Sequence, residues 1–324
     1  MTHPLDDLVA LTRFEQTTFA YQLSPVTPTI GTVRPGHPFT LMAQDASGNQ
    51  LRRHTTPEDI DPHRLFPLSG PVRVEGVPAG STVGIGILDI RCEPTGHVWT
   101  RPGLGFEGPD RLAVRSLRIE PPRIVDPSGL ELTYQPHTGA LGVLPAREVA
   151  GRTLGEYGGN LDVPNLGPGS ALWVTSAVEG AGIFAGDVHA AIGDAEVCGT
   201  GVETPSEIDL VALTANWTVD HPTVMTPVQT WLIGIGESLE AAIADVLPTV
   251  IDRLAADRGL LRDQAYLLAS LLLDIKICQV VNPLTSVAVS LRQGLDRCLV
   301  PAQAHTDFTT FRHRYIEGAH NAHR

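Results

Sequence analysis

In Gly186-Asp187-Val188-His189-Ala190-Ala191-Ile192-Gly193-Asp194-Ala195-Glu196-Val197-Cys198-Gly199-Thr200, three carboxylates and one imidazole crowd a stretch that is otherwise small or apolar. Asp187 and His189 are two apart, as are Asp194 and Glu196, so in extended backbone each pair points to one face. Such a donor set suits a divalent cation of borderline hardness, zinc first. The plainer alternative is a polar turn between two strands with its acids in water. No compact zinc motif fits the spacing, so residue type and parity leave both open.

The elements around this stretch read mainly as strands. The chain of 324 residues carries 32 Gly and 26 Pro with 42% hydrophobic residues, a composition for a turn-rich fold with a sizeable core. Residues 29–33 and 39–43 flank the turn Arg34-Pro35-Gly36, and the second strand delivers Asp45 into Ala46-Ser47-Gly48-Asn49. Locally, Asp45 reads as an Asx-type turn residue. Residues 71–76 and 81–90 alternate and are expected to form a hairpin through Val77-Pro78-Ala79-Gly80. Residues 91–108 are expected to be a long surface loop, and 52–63 a polar loop whose His54 and His63 are solvated. Further strands are expected over 114–119, 136–145, 170–176, 207–213, 216–219 and 231–235. Asn160 and Asp162, after Gly158-Gly159, share strand parity.

Helices come late. Leu239, Ala242, Ile243, Val246, Leu247, Val250, Ile251 and Leu254 follow a 3–4 spacing after the N-cap candidate Ser238, with Gly259 near the end. Pro248 is expected to kink or split this helix. A second helix over 262–272 runs into a strand over 275–281. A short helix is expected around Leu8–Phe14, and the residues past Pro301, with His305, His313, His320 and His323, read as a frayed tail. The expected class is α+β, predominantly β: a β-sandwich-like body over 1–220, an α+β portion over 221–300 and a tail over 301–324.

Composition excludes some functions. The formal charge is −13 with no basic block, so nucleic acid is a poor partner. No apolar run reaches the roughly 18–20 residues of a membrane span. Cys92, Cys198, Cys278 and Cys298 are widely spaced and read as free thiols in a reducing compartment. With no signal-peptide pattern at the N-terminus, the expected location is cytoplasmic. No phosphate-binding loop, dinucleotide fingerprint or serine nucleophile elbow is present. A nucleophilic Cys198 paired with His189 finds little support, because nothing around it would lower a thiol pKa.

Taken together, Gly158-Gly159-Asn160-Leu161-Asp162 and the Gly186–Thr200 motif resemble the acetamidase/formamidase family, in which G-G-N-x-D precedes G-D-x-H-A-x-x-G-D-G-E-x-x-G-T. Arg34-Pro35-Gly36 through Asp45-Ala46-Ser47-Gly48, residues 69–76, Gly139-Ala140-Leu141-Gly142-Val143 and the segment from Gln264 to Asn282 agree in order, so the likeness spans roughly residues 28–285. The resemblance implies a β-rich, usually oligomeric protein that hydrolyses small linear amides with a bound metal. It places the metal on Asp45, Asp187, His189 and Glu196, zinc first with calcium as a second ion. Asp194 becomes the acid/base candidate, its role exchangeable with Glu196, and Asn160 and Asp162 orient ligands or hold substrate. The chain departs from the pattern at Ala195, which replaces a glycine. It also lacks a histidine in Thr17-Thr18-Phe19-Ala20-Tyr21 and has Phe66 where the family tends to have Asn. Those departures raise two alternatives, a cyclic or unusual C–N substrate and a non-catalytic metal- or ligand-binding homologue.

Overall fold

A computed structural model describes residues 11–51 and 59–317. The longest strand, Thr82–Cys92, alternates Val83, Ile85 and Ile87 on one face with Gly84 and Gly86 on the other. The apolar side chains are fully buried in the main core. The glycines make room: a Cβ at Gly84 would lie 2.5 Å from the Trp173 ring, and one at Gly86 would collide with Phe311.

Thr82–Cys92 sits within a nine-stranded sheet in the order Thr12–Arg13, Pro38–Ala43, Ser206–Thr214, Thr82–Cys92, Ala171–Thr175, Thr223–Met225, Thr230–Gly236, Thr285–Leu291, Leu273–Gln279. A six-stranded sheet runs Leu154–Gly155, Gly158–Asn160, His137–Gly142, Ile183–His189, Leu68–Val74, Gly31–Val33. Pairing is antiparallel except between Thr12–Arg13 and Pro38–Ala43, and between Gly31–Val33 and Leu68–Val74. The two sheets share one core, with Leu41, Ile85, Leu172 and Ile208 from the larger meeting Val72, Leu141, Ile183 and Ala185 from the smaller. The predominantly β, α+β class is therefore observed, with a sandwich as its body.

The expected hairpin does not form. Leu68–Val74 belongs to the smaller sheet and Thr82–Cys92 to the larger, so residues 75–81 cross between layers. Alternating strands and a Pro-Gly turn look alike in a hairpin and in such an arch; only long-range pairing distinguishes them. The expected loop over 91–108 contains the strand Thr95–Thr100, which opens a four-stranded sheet with Ala113–Glu120, Arg123–Val125 and Glu131–Thr133. Residues 216–219 are not a strand; Thr223–Met225 takes that place. Around Leu8–Phe14, the described part holds the strand Thr12–Arg13 in place of a helix, and residues 8–10 lie outside the described residues. His54, His320 and His323 also lie outside them.

Helix α1 (Leu239–Arg258) is capped as expected: Ser238 accepts from the Ala241 N–H at 3.2 Å, and Gly259 closes it at φ 63°. Pro248 leaves it one element, because the proline faces solvent, where water can take the carbonyl it deprives of a donor. Helix α2 (Arg262–Leu272) passes directly into Leu273–Gln279. The segment past Pro301 is ordered as α3 (Ala302–Arg312) with a further turn to Glu317. Ala304, Phe308, Phe311 and Tyr315 pack on Trp173 and Trp217, the Trp217 indole donates to Asp307, and the Tyr315 hydroxyl donates to the Gly36 carbonyl. No helix among the described residues is long and apolar enough to cross a membrane.

Candidate metal centre and active site

His189 ends the strand Ile183–His189, fully buried, with His137 directly opposite on the neighbouring strand. His189 Nδ1 lies 3.1 Å from His137 Nε2. The other nitrogen, Nε2, is 2.9 Å from Glu203 Oε1, 3.6 Å from Asp187 Oδ1 and 3.9 Å from Glu196 Oε1. Nε2 is aligned with none of these for a hydrogen bond and stays unpartnered, as do Asp162 Oδ1, Glu203 Oε2 and Asn160 Oδ1. Asp162, Asp187, Glu196 and Glu203 are all at most 6% exposed.

Each carboxylate is held by the fold. Asn160 ends Gly158–Asn160, and its side-chain amide donates to Asp162 Oδ2 at 3.0 Å. Glu203 is tied to both sides by backbone bridges to His189 and His97, and its Oε1 accepts from the Gly201 N–H at 3.0 Å. Glu196 lies in the 3-10 turn Asp194–Glu196. Asp162, Asp187, Ala195 and Glu196 have φ values of 50°, 53°, 73° and 51°. Left-handed backbone at non-glycine residues costs on the order of 1–3 kcal/mol each and persists where the surroundings over-determine it. At Ala195, whose carbonyl accepts from the Val280 N–H, glycine would keep that bond and adopt the same φ without strain, so Ala195→Gly is expected to raise stability by about 0.5–1 kcal/mol. An unchanged or lower melting temperature would refute this.

The cluster perturbs its own protonation. Burial, then the charge of Asp187, push Asp162 well above the usual carboxylate range. Glu196 is raised well above it by burial and by Asp162. Glu203 is raised to about 7, burial and Asp187 outweighing the attraction of His189. For His189 burial favours the neutral ring, yet Glu203 and Asp187 prevail and its pKa is raised well above the ordinary value. His137 is lowered well below it by burial and by His189, and it bonds to the Gln135 backbone. With that backbone carbonyl taking the His137 Nδ1–H, His137 Nε2 accepts from His189 Nδ1–H. Nε2 of His189 is thereby turned toward the acids.

His189 with Asp187 and Glu203, and His189 with Asp162 and Glu196, each bring three ligand atoms within 4.8 Å of one another, close enough to hold a metal ion. A small adjoining cavity of about 30 Å³, partly open to solvent, is lined by Asn160, Asp187, Glu196 and Glu203, by the apolar Leu65, Phe66, Trp99 and Leu104, and by Arg101, Arg152 and Asn282.

Of the residues singled out from the sequence, Asp187, His189, Glu196, Asn160 and Asp162 come together. Asp45 does not join either ligand group. It is buried, but its Oδ1 accepts from the backbone of Ser47 and Asn49, the Asx turn that its local sequence indicates. Asp194 is solvent-exposed and lies 3.8 Å from Lys276 Nζ, outside the buried cluster, because the turn that tucks Glu196 inward leaves Asp194 outward. Cys198 lies in a turn, and its thiol donates to the Thr200 carbonyl. Phe66 lines the cavity; Thr18 lines a separate groove with Phe19 and Gly70. Glu203 and His137 were not singled out. Glu203 lies beyond the motif and is brought in by backbone bridging, and His137 reads locally as part of a short apolar strand.

The chain is similar to a formamidase of Methylophilus methylotrophus, 24% identical over 251 residues, covering 57% of this chain and 61% of the formamidase. The chain thus spans about three-fifths of that relative's length. Among solved structures, an acetamidase from Bacillus halodurans superposes with a TM-score of 0.79 at 29% identity, covering 86% of this chain and 96% of the other. An acetamidase from Yersinia enterocolitica gives 0.81 at 26% identity, covering 88% and 92%. The model of the acetamidase/formamidase family matches residues 12–153 and 138–292, most of the chain, and the protein belongs to that family.

Proposed function

We propose that the protein is a metal-dependent amidohydrolase that converts a short linear amide and water to a carboxylate and ammonium. The observation that carries this reading is the buried His189 Nε2, which makes no aligned hydrogen bond yet faces Asp187, Glu196 and Glu203, three acids that line the cavity, with Asp162 beside them. Buried polar atoms without partners are rare, and a cation would satisfy these together. His189, Asp187 and Glu203, with Asp162 and Glu196, would hold it. Mixed nitrogen and oxygen donors favour zinc, and the surplus of carboxylates leaves room for calcium as a second ion. Such a metal lowers the pKa of water and polarises the amide carbonyl.

The remaining work falls to the protein. Glu196, buried and lining the cavity, is suited as a carboxylate to take a proton from water and pass it to the departing nitrogen. Asn160 Oδ1, an acceptor without a partner, can take an N–H of the substrate amide. His137 fixes the His189 ring without touching substrate. Metal analysis combined with ammonia release tests the reading. A stoichiometric divalent ion and chelator-sensitive turnover of formamide, acetamide or another linear amide are expected, lost in His189→Ala. Metal-free protein, or His189→Ala at wild-type rates, would overturn this reading, and absence of turnover with every amide would leave the non-catalytic alternative standing.

We also infer that the chain assembles with copies of itself through α2. This helix buries only Ala265 and Ala269, while Leu267 and Leu271 are 71% and 73% exposed, with Leu261, Tyr266, Leu268 and Ile275 beside them. Those side chains present on the order of 600 Å² of apolar surface, close to the roughly 800 Å² per partner of a stable interface. Sedimentation at micromolar concentration is expected to show a dimer or larger species, and Leu267→Glu with Leu271→Glu a monomer. A monomeric wild type would overturn the inference.

A further inference from the structure

The cavity holds two guanidinium groups that hydrolysis of a neutral amide does not need. Arg101 and Arg152 both line it, and no ion pair to a carboxylate is found for either among the described residues. Arg91, also partly buried, is by contrast tied to Asp89, Glu207 and Asp209. The Arg101 Nε is buried without a hydrogen-bond partner, and so is the Trp99 indole N–H. Arg152 donates to Asn282 at 2.6 Å, leaving other N–H groups of its fork for a second acceptor. Both side chains are half-buried with no ion pair of their own among the described residues, and a bound carboxylate offers the planar pair of acceptors that a guanidinium fits.

We propose that the substrate is a short linear amide bearing a carboxylate, with Arg101, Arg152 and Trp99 holding the carboxylate while the amide faces Asn160, Asp187 and Glu196. The proposal rests on the amidase reading above. Leu65, Phe66 and Leu104 supply an apolar wall for the one or two carbons between the two groups. The positive charge also offsets the repulsion that the four carboxylates would exert on an anionic substrate. For malonamate, the amide C–N bond breaks, a C–O bond forms from water, and the products are malonate and ammonium.

Malonamate and its neutral isostere 3-methylbutanamide separate shape from charge. With the metal-loaded protein and ammonia release as readout, malonamate is expected to have the higher kcat/KM by about tenfold or more. In Arg101→Ala and Arg101→Gln, the ratio of the two kcat/KM values is expected to fall by roughly 10- to 100-fold, mostly through KM for malonamate, with Arg101→Lys recovering part of it. A wild type that prefers 3-methylbutanamide, or a ratio that Arg101→Ala leaves unchanged, overturns the proposal while the amidase reading stands. Failure to hydrolyse these two, formamide and acetamide alike would remove that reading, and the proposal with it.

Discussion

Gly139→Ala is expected to remove nearly all hydrolysis while the protein still folds. A methyl group at Gly139 would lie 2.5 Å from Asp162 Oδ1, 2.6 Å from Asp187 Oδ2 and 2.8 Å from the Asp187 carbonyl. The Asp187 carbonyl belongs to the paired strand Ile183–His189, so relief has to come from the two carboxylate ends. The methyl group would occupy the cradle between the two acids, and any relief would carry their carboxylates away from His189. A displacement near 1 Å at a reacting centre lowers rates by about a hundredfold, and loss of bound metal would lower them further. Gly193→Ala is the control: it lies in the same motif, meets nothing within 4 Å, and has an ordinary φ of −94°. Metal content and kcat/KM of the two variants decide the matter. Wild-type metal binding and turnover in Gly139→Ala would show that the gap between Asp162 and Asp187 is not part of the site.

Glu203→Gln is expected to have opposite effects on binding and on stability. In the metal-free protein the Glu203 carboxyl is raised from 4.5 to about 7. Between those values the native state holds more protons than the unfolded chain, so stability falls as pH rises across the interval. His189, whose pKa is also raised in the fold, loses its stabilising charge as pH rises through its folded value, and acts in the same direction. Gln removes the charge and keeps an oxygen for the Gly201 N–H. Chelator-treated Glu203→Gln should therefore be more stable than wild type above pH 7, by on the order of 2–3 kcal/mol, with little difference below pH 4.5. Its metal affinity should drop by roughly a hundredfold. Thermal melts across pH 4.5–8, with metal and with chelator, test both halves. A variant less stable without metal at pH 8 would contradict this account of the cluster.

What could be read along the chain was whatever depends on near neighbours. Parity placed Asp187 with His189 and Asn160 with Asp162, and helical spacing with Ser238 and Gly259 located α1. The Asx reading of Asp45 came from local chemistry and describes its hydrogen bonds in the fold. The family resemblance moved Asp45 to the metal, where neither ligand group includes it. Contacts set by pairing between distant segments were not legible: Glu203 bridging to His189, His137 facing His189, and residues 75–81 crossing between sheets. The α3 signal was present in Ala304, Phe308, Phe311 and Tyr315, spaced four, three and four apart. Histidines and arginines between them masked it.

The position of α3 has a consequence for biosynthesis. Trp173, Trp217 and the glycine-lined face of Thr82–Cys92 are covered by side chains that follow them by about a hundred residues or more. While a ribosome is still making α1 and α2, that apolar face has no lid. The nascent chain must hold its half-built sheet in solution until Phe308 and Phe311 emerge, which makes this interval the one in which a chaperone has most to protect.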